Sequence, residues 1–264
     1  MSNMQIAILF ERLLRLEMGE LVPAKTECDG GPSRLRVKQV EDYFFEVVKI
    51  LNIELFIEIG AMWAEASRKV AKFSDIDCQI LAIEANPETF NEANKRFDFR
   101  KMGIEYLNYA ISNRVGQIEI KVPVKNNQPG PSMSSILDGF GNDLNQRILD
   151  VSSLTLDGLL EGSNMEGFNQ IALWIDCEGA AYEVLCSAEK TLDRTGCIYV
   201  ELQDGNIWKN AQSSSVVVAH LLDRGFIPLA RDRQHANVWN ALFLNQRHYE
   251  DLFPRFVKRI LASP

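Results

Sequence analysis

The 264-residue sequence predicts an α/β fold, with a mostly parallel sheet of seven strands, helices on both of its faces and N-terminal helices ahead of it. Three observations predict this. Short apolar runs recur between segments of helical period, so strands and helices alternate along the chain, and such alternation calls for parallel pairing through right-handed crossovers. The runs are apolar without a polar alternate face, as in a sheet covered on both sides. Finally, most of the runs end in acidic or polar residues, which a packing strand has no need of.

The first fifty residues are helical by pattern. Ile6, Leu9, Phe10, Leu13 and Leu14 form one stripe, and Val37, Val40, Phe44, Val47, Val48 and Leu51 form a longer one. The loop from Glu27 to Ser33 separates them. Leu55 to Gly60 is the first buried strand, followed by a helix to about Phe73. Gln79 to Glu84 is the second strand, and Pro87 to Phe97 the second helix. Ile104 to Ala110 is the third strand. Ile171 to Asp176 is the fourth, with a helix from Tyr182 to Asp193. Cys197 to Leu202 is the fifth, with a helix from Ser214 to Arg224, and Phe226 to Ala230 and Val238 to Leu244 close the series. Between the third and fourth strands, Gly116 to Pro123 alternates like an edge strand, and Lys125 to Ser135 is a polar loop. The expected organisation is an N-terminal helical segment over 1–52 that caps the domain or pairs with a second copy, a catalytic domain over 53–246, and a helical tail over 247–264.

Composition narrows the function. Hydrophobic residues make up 46% and charged residues 24% of the chain, and the formal net charge of -8 argues against a nucleic-acid partner. No apolar stretch is long enough to span a bilayer. The apolar run near Met1 has no basic residues before it, so no secretory signal is expected. The five cysteines, Cys28, Cys78, Cys177, Cys186 and Cys197, are odd in number and scattered, which fits a reducing cytoplasm.

In an open parallel sheet, ligands bind beyond the carboxyl ends of the strands. The residues there are Glu58 and Gly60, Glu84, Asn108 and Ala110, Asp176 and Glu178, and Glu201. Gly60 in the first turn permits close approach to the backbone. The dinucleotide pattern G-x-G-x-x-G is absent, because Met62, Trp63 and Glu65 occupy that turn, so no pyrophosphate cradle is expected. Glu84 can accept hydrogen bonds from both hydroxyls of a ribose. The combination suits a nucleoside without a phosphate chain.

Asp176 and Glu178 stand two residues apart at one strand end and are candidate acid–base groups, unless one of them caps the following helix. Glu201 and Asp204 could join them around a divalent ion such as magnesium, although surface acids are the commoner case and no ligand set is assigned. His235, between the last two strands, is the histidine best placed to act as a base. Asn126, Asn127, Gln128, Ser132 and Ser134 form a loop able to recognise acceptor hydroxyls.

From about Leu55 to Asn245 the chain resembles the FkbM-type methyltransferases. The resemblance rests on Phe56-Ile-Glu-Ile-Gly-Ala61 with Ser67, on Ala82-Ile-Glu-Ala-Asn-Pro87, on Ser132 to Ile136 followed by Leu154-Thr-Leu-Asp-Gly158, and above all on Trp174 to Leu185. It implies a Rossmann-like class I methyltransferase fold, S-adenosylmethionine as cofactor and methylation of oxygen, often on sugars. It adds Ala61, Ser67, Ala85 and Asn86 to the cofactor side and supports Ser134 and Ser135 on the side of a saccharide-bearing, small-molecule acceptor, where Glu201 and Asn237 are also expected. The family usually has Asn and Gly where this chain has Met62 and Ala64. The fold does not fix the acceptor, so nitrogen or carboxyl methylation, or a binding protein that kept the fold, stand as alternatives.

Overall fold

A computed structural model describes residues 32–74, 76–125, 128–129, 134–138, 146–203, 208–232, 234, 237–248 and 254. The Ile6–Leu14 stripe, Cys28, Asn126, Asn127, Ser132, Asp204, His235 and all of the expected tail beyond His248 except Pro254 lie outside the described residues.

Seven strands form the main sheet. They are β1 (Leu55–Ile59), β2 (Gln79–Ile83), β3 (Ile104–Leu107), β8 (Ile171–Ile175), β9 (Thr195–Gln203), β10 (Phe226–Arg231) and β11 (Val238–Asn245), in the order β10-β11-β9-β8-β1-β2-β3. All neighbours pair parallel except β11, which runs antiparallel to both β9 and β10. From β1 the chain winds outward to β3, then returns to β8 on the other flank. The switch point therefore lies between β1 and β8, where a cleft opens at the carboxyl ends of the strands.

Strand residues divide between two cores. Phe56, Trp174 and Tyr199 face helix α1 (Pro32–Leu51), whose Val40, Phe44, Val47 and Val48 are buried. Trp174 and Tyr199 are register partners on β8 and β9, with rings stacked 3.8 Å apart, and the Phe44 ring meets Trp174 edge-on at 5.5 Å. The apolar stripe of α1 is thus packed on its own sheet. Helices α2 (Glu65–Val70) and α3 (Pro87–Arg96) complete that side. On the opposite face, Ile57, Leu173, Ile175 and Val200 pack against α4 (Leu156–Glu161), α5 (Ala181–Cys186), α6 (Glu189–Arg194) and α7 (Ser214–Asp223).

Four expectations change. The third strand stops at Leu107, because the Asn108 amide donates to the Glu84 and Ala85 carbonyls at 2.7 and 3.0 Å and turns the chain. Residues Ala110–Ile111 form β4, which joins β5 (Gly116–Lys125), β6 (Gln128–Pro129) and β7 (Gln146–Leu154) in a second sheet of order β4-β7-β5-β6. Strand β5 is not an edge strand. It lies between β6 and β7, and β7 is too polar to read as a strand. The helix expected over 182–193 is broken at Ser187 and Ala188. Ser187 accepts the α4 amides of Leu156 and Asp157 through its hydroxyl and carbonyl, and Asp157 in turn accepts the Lys190 and Thr191 amides at the start of α6.

Candidate active site

The first turn explains Gly60. Its φ is +78°, and a Cβ built there would stand 1.8 Å from the backbone oxygen of Asp176. The close approach this glycine permits is therefore that of β8's end, which seats the Asp176 amide on the Ile59 carbonyl at 2.9 Å. The Gly60 and Ala61 amides both donate to the Ile83 carbonyl at 3.0 Å, so neither is left to cradle an anion. Glu58 is buried beneath the turn. Its carboxylate accepts the Ser67 amide at 2.7 Å and the Ala66 amide at 3.3 Å, binding the start of α2 to β1.

Glu84 stands where β2 ends and is also buried. One oxygen accepts the Met62 amide at 2.8 Å and the other the Asn86 amide at 2.7 Å. Each oxygen keeps lone-pair capacity for a further donor. Asn86 caps α3, accepting from the Glu88 amide at 2.9 Å, and its own amide donates to the Ser134 hydroxyl at 3.0 Å. Ser135 ties the same segment to the opposite wall, donating to the Glu178 carbonyl at 2.8 Å.

Asp176, Cys177, Glu178 and Gly179 form the turn after β8. Asp176 and Glu178 meet on one side because the chain turns here with Glu178 at φ +46°, not through strand alternation. Neither carboxylate caps α5, whose start has no side-chain cap. The space beside Gly179 is filled by Trp208, whose ring would lie 2.6 Å from a Cβ there. Glu201, on β9, completes the acidic side and accepts from Gln203 at 2.7 Å.

These groups surround a cavity of about 280 Å³. Burial pushes Glu84 and Glu58 up to about 7. Burial also raises Asp176, Glu178 and Glu201, and for the last two the neighbouring carboxylates add to the rise. No lysine, arginine or histidine lines the cavity among the described residues. Among them, too, no group of three or more His, Cys, Asp or Glu side chains is arranged to hold a metal ion.

Of the residues singled out in the sequence, Gly60, Glu84, Ala85, Ala110, Ser134, Ser135, Asp176, Glu178 and Glu201 line the cavity. Glu58, Ala61, Ser67, Asn86 and Asn108 stand behind it, holding its walls. Asn237 is exposed in the turn before β11, while Gln234 from the same connection reaches the cavity. Tyr109, Ile120 and Gln234 are lining residues that the sequence did not mark. Tyr109 was hidden inside an apparent strand, and Ile120 reads as an ordinary buried position.

No helix among the described residues is long and apolar enough to cross a membrane. Among curated proteins none matches the chain. Similar solved structures include the METTL16 MTase domain, at 16% identity over 89% of this chain and 76% of that one, with a TM-score of 0.43. Others are the methyltransferase domain of bacterial CtHen1 (9% identity, 79% and 98% covered, TM-score 0.43) and the N-terminal domain of EvdMO1 with SAH bound (12%, 89% and 95%, 0.42). The profile of the methyltransferase FkbM domain matches residues 49–228, which is more than half of the chain, and the protein therefore belongs to the FkbM methyltransferase family.

Proposed function

We propose that this methyltransferase uses S-adenosylmethionine to methylate a hydroxyl on a sugar or a saccharide-bearing metabolite. The observation that carries the donor is a cavity bounded by Glu84, Asp176, Glu178 and Glu201 with no basic residue among its described lining. Buried carboxylates without counter-charges favour a cationic ligand. The spent Gly60 and Ala61 amides disfavour a phosphate-bearing one. A nucleoside carrying a sulfonium and an ammonium, and no phosphate, meets both conditions.

When bound, S-adenosylmethionine supplies a methyl carbon on sulfur, which an acceptor oxygen displaces as the C–S bond breaks and the O–C bond forms. Glu84 would accept from the ribose hydroxyls with the lone pairs its two backbone amides leave free. Asp176, on the cavity wall, would hold the donor's ammonium end and would take the proton of the acceptor hydroxyl. Burial raises its pKa in the ligand-free chain, and a bound cation would favour its ionised, proton-accepting form. Glu178 orients the acceptor. Ser134 and Gln234 offer polar groups at the cavity wall, which supports a hydroxylated acceptor. The Ser135 hydroxyl is engaged with Glu178 and with the Leu137 amide, so Ser135 shapes the wall instead of reaching a substrate.

The test is titration calorimetry with S-adenosylmethionine and S-adenosylhomocysteine, followed by transfer of a labelled methyl group to a panel of sugars, amines and carboxylic acids. Binding with label appearing on sugars alone is the expected result. Absence of binding overturns the donor, and label on an amine or a carboxylate overturns the acceptor class.

A further inference from the structure

Between Gly60 and α2 the backbone enters the left-handed region twice at residues that carry a Cβ, with φ +45° at Met62 and +52° at Ala64. L-residues crowd their own carbonyl there, and the conformation persists only where its surroundings impose it. The surroundings are specific. The Met62 amide donates to Glu84, and the Met62 carbonyl accepts the Tyr106 hydroxyl at 2.6 Å. Tyr106, on β3, is itself wedged between Phe90 and Phe99, with ring centroids 4.9 and 4.4 Å away. One residue on, the Trp63 carbonyl accepts the Arg68 guanidinium at 3.0 Å, and the Trp63 ring lies under Arg96 at 4.4 Å.

We propose that Tyr106 is a positioning residue for the cofactor site, its hydroxyl latching the left-handed Met62 turn so that the Met62 amide stays on Glu84. The inference rests on the donor reading above. Tyr106 does not line the cavity; it acts through Met62 and Glu84, which do. Its aromatic ring fixes where the hydroxyl stands, and the hydroxyl fixes the carbonyl that an unstrained turn would point elsewhere.

The test uses the full chain and four proteins: the parent, Tyr106→Phe, Met62→Asn and the double variant. Asparagine tolerates the left-handed region and so removes the need for a latch. Tyr106→Phe keeps the ring and is expected to weaken S-adenosylhomocysteine binding about tenfold, the scale of one lost hydrogen bond. KM for the donor rises while kcat holds. In the Met62→Asn background the same change costs less than about twofold, as expected when coupling through the turn is lost. In the ligand-free protein, amide hydrogen exchange over 60–66 quickens in Tyr106→Phe. Equal losses in both backgrounds, or no loss in the parent background, overturn the latch. If the parent itself binds no S-adenosylhomocysteine, the donor reading falls and exchange alone decides, with unchanged exchange over 60–66 overturning the latch.

Discussion

The backbone oxygen of Asp176 occupies the place that a Cβ on Gly60 would need, 1.8 Å away, so the first and fourth strands of the parallel series meet backbone to backbone beneath the cavity. Gly60→Ala meets both that clash and a positive φ, in a region where neither partner is a flexible side chain. The expected loss is at least about 3 kcal/mol, or roughly 6–12 °C in Tm for a domain of this size. A thermal melt of the purified variant checks it, and an unchanged Tm contradicts the contact.

Glu84 and Glu58 set a pH dependence. Both are pushed by burial from an ordinary 4.5 to about 7. The folded chain therefore holds protons that the unfolded chain has released, and stability from these groups is fully present below about 4.5 and lost as pH rises through about 7. Ligand-free protein should melt higher at pH 5.5 than at pH 8. A cationic donor favours the ionised carboxylates, so its affinity, and the Tm gain it confers, should rise over the same window. Melts with and without S-adenosylmethionine at the two pH values test both signs.

Asp176→Asn should cut turnover by about a hundredfold or more, the scale for losing a positioned proton acceptor. Its Tm should hold or rise at pH 8, because the change removes one of several carboxylates buried together. Glu178→Gln should be milder. Paired melts and methyl-transfer rates separate this outcome from a structural one, in which Tm and rate would fall together.

Glu84→Ala should be costly twice over. It strands the Met62 and Asn86 amides and removes the ribose acceptor. Expected are a drop of about 2–3 kcal/mol in stability and at least a tenfold weaker S-adenosylhomocysteine complex. Glu84→Gln, which keeps one carbonyl oxygen, should lose less of each. Calorimetry and denaturant melts on the three proteins order them.

Local pattern was enough to find the seven main strands, the end of the third excepted, and the edge of the sheet at which ligands belong. Runs such as Ile171–Ile175 are apolar enough, and bounded sharply enough by Asp176, that local pattern and buried environment agree. It also located most of the cavity's acids, because a carboxylate ending a buried strand has no packing reason to be there. Tertiary structure alone decided what each group contacts. Polar β7 becomes a strand because β5 pairs with it, residue for residue from Gly116–Ser153 to Pro123–Gln146, and β4 pairs with its end at Ser153 and Leu154. Ser187 breaks a helix because α4 needs its hydroxyl and carbonyl. Glu58, inside β1, lies behind the cavity, where the Ala66 and Ser67 amides hold it, whereas Glu84, just past the end of β2, lines the cavity, held by the Met62 and Asn86 amides. Gly60 and Gly179 answer to Asp176 and Trp208, partners 116 and 29 residues along the chain, and no local pattern encodes which atoms will meet across such distances.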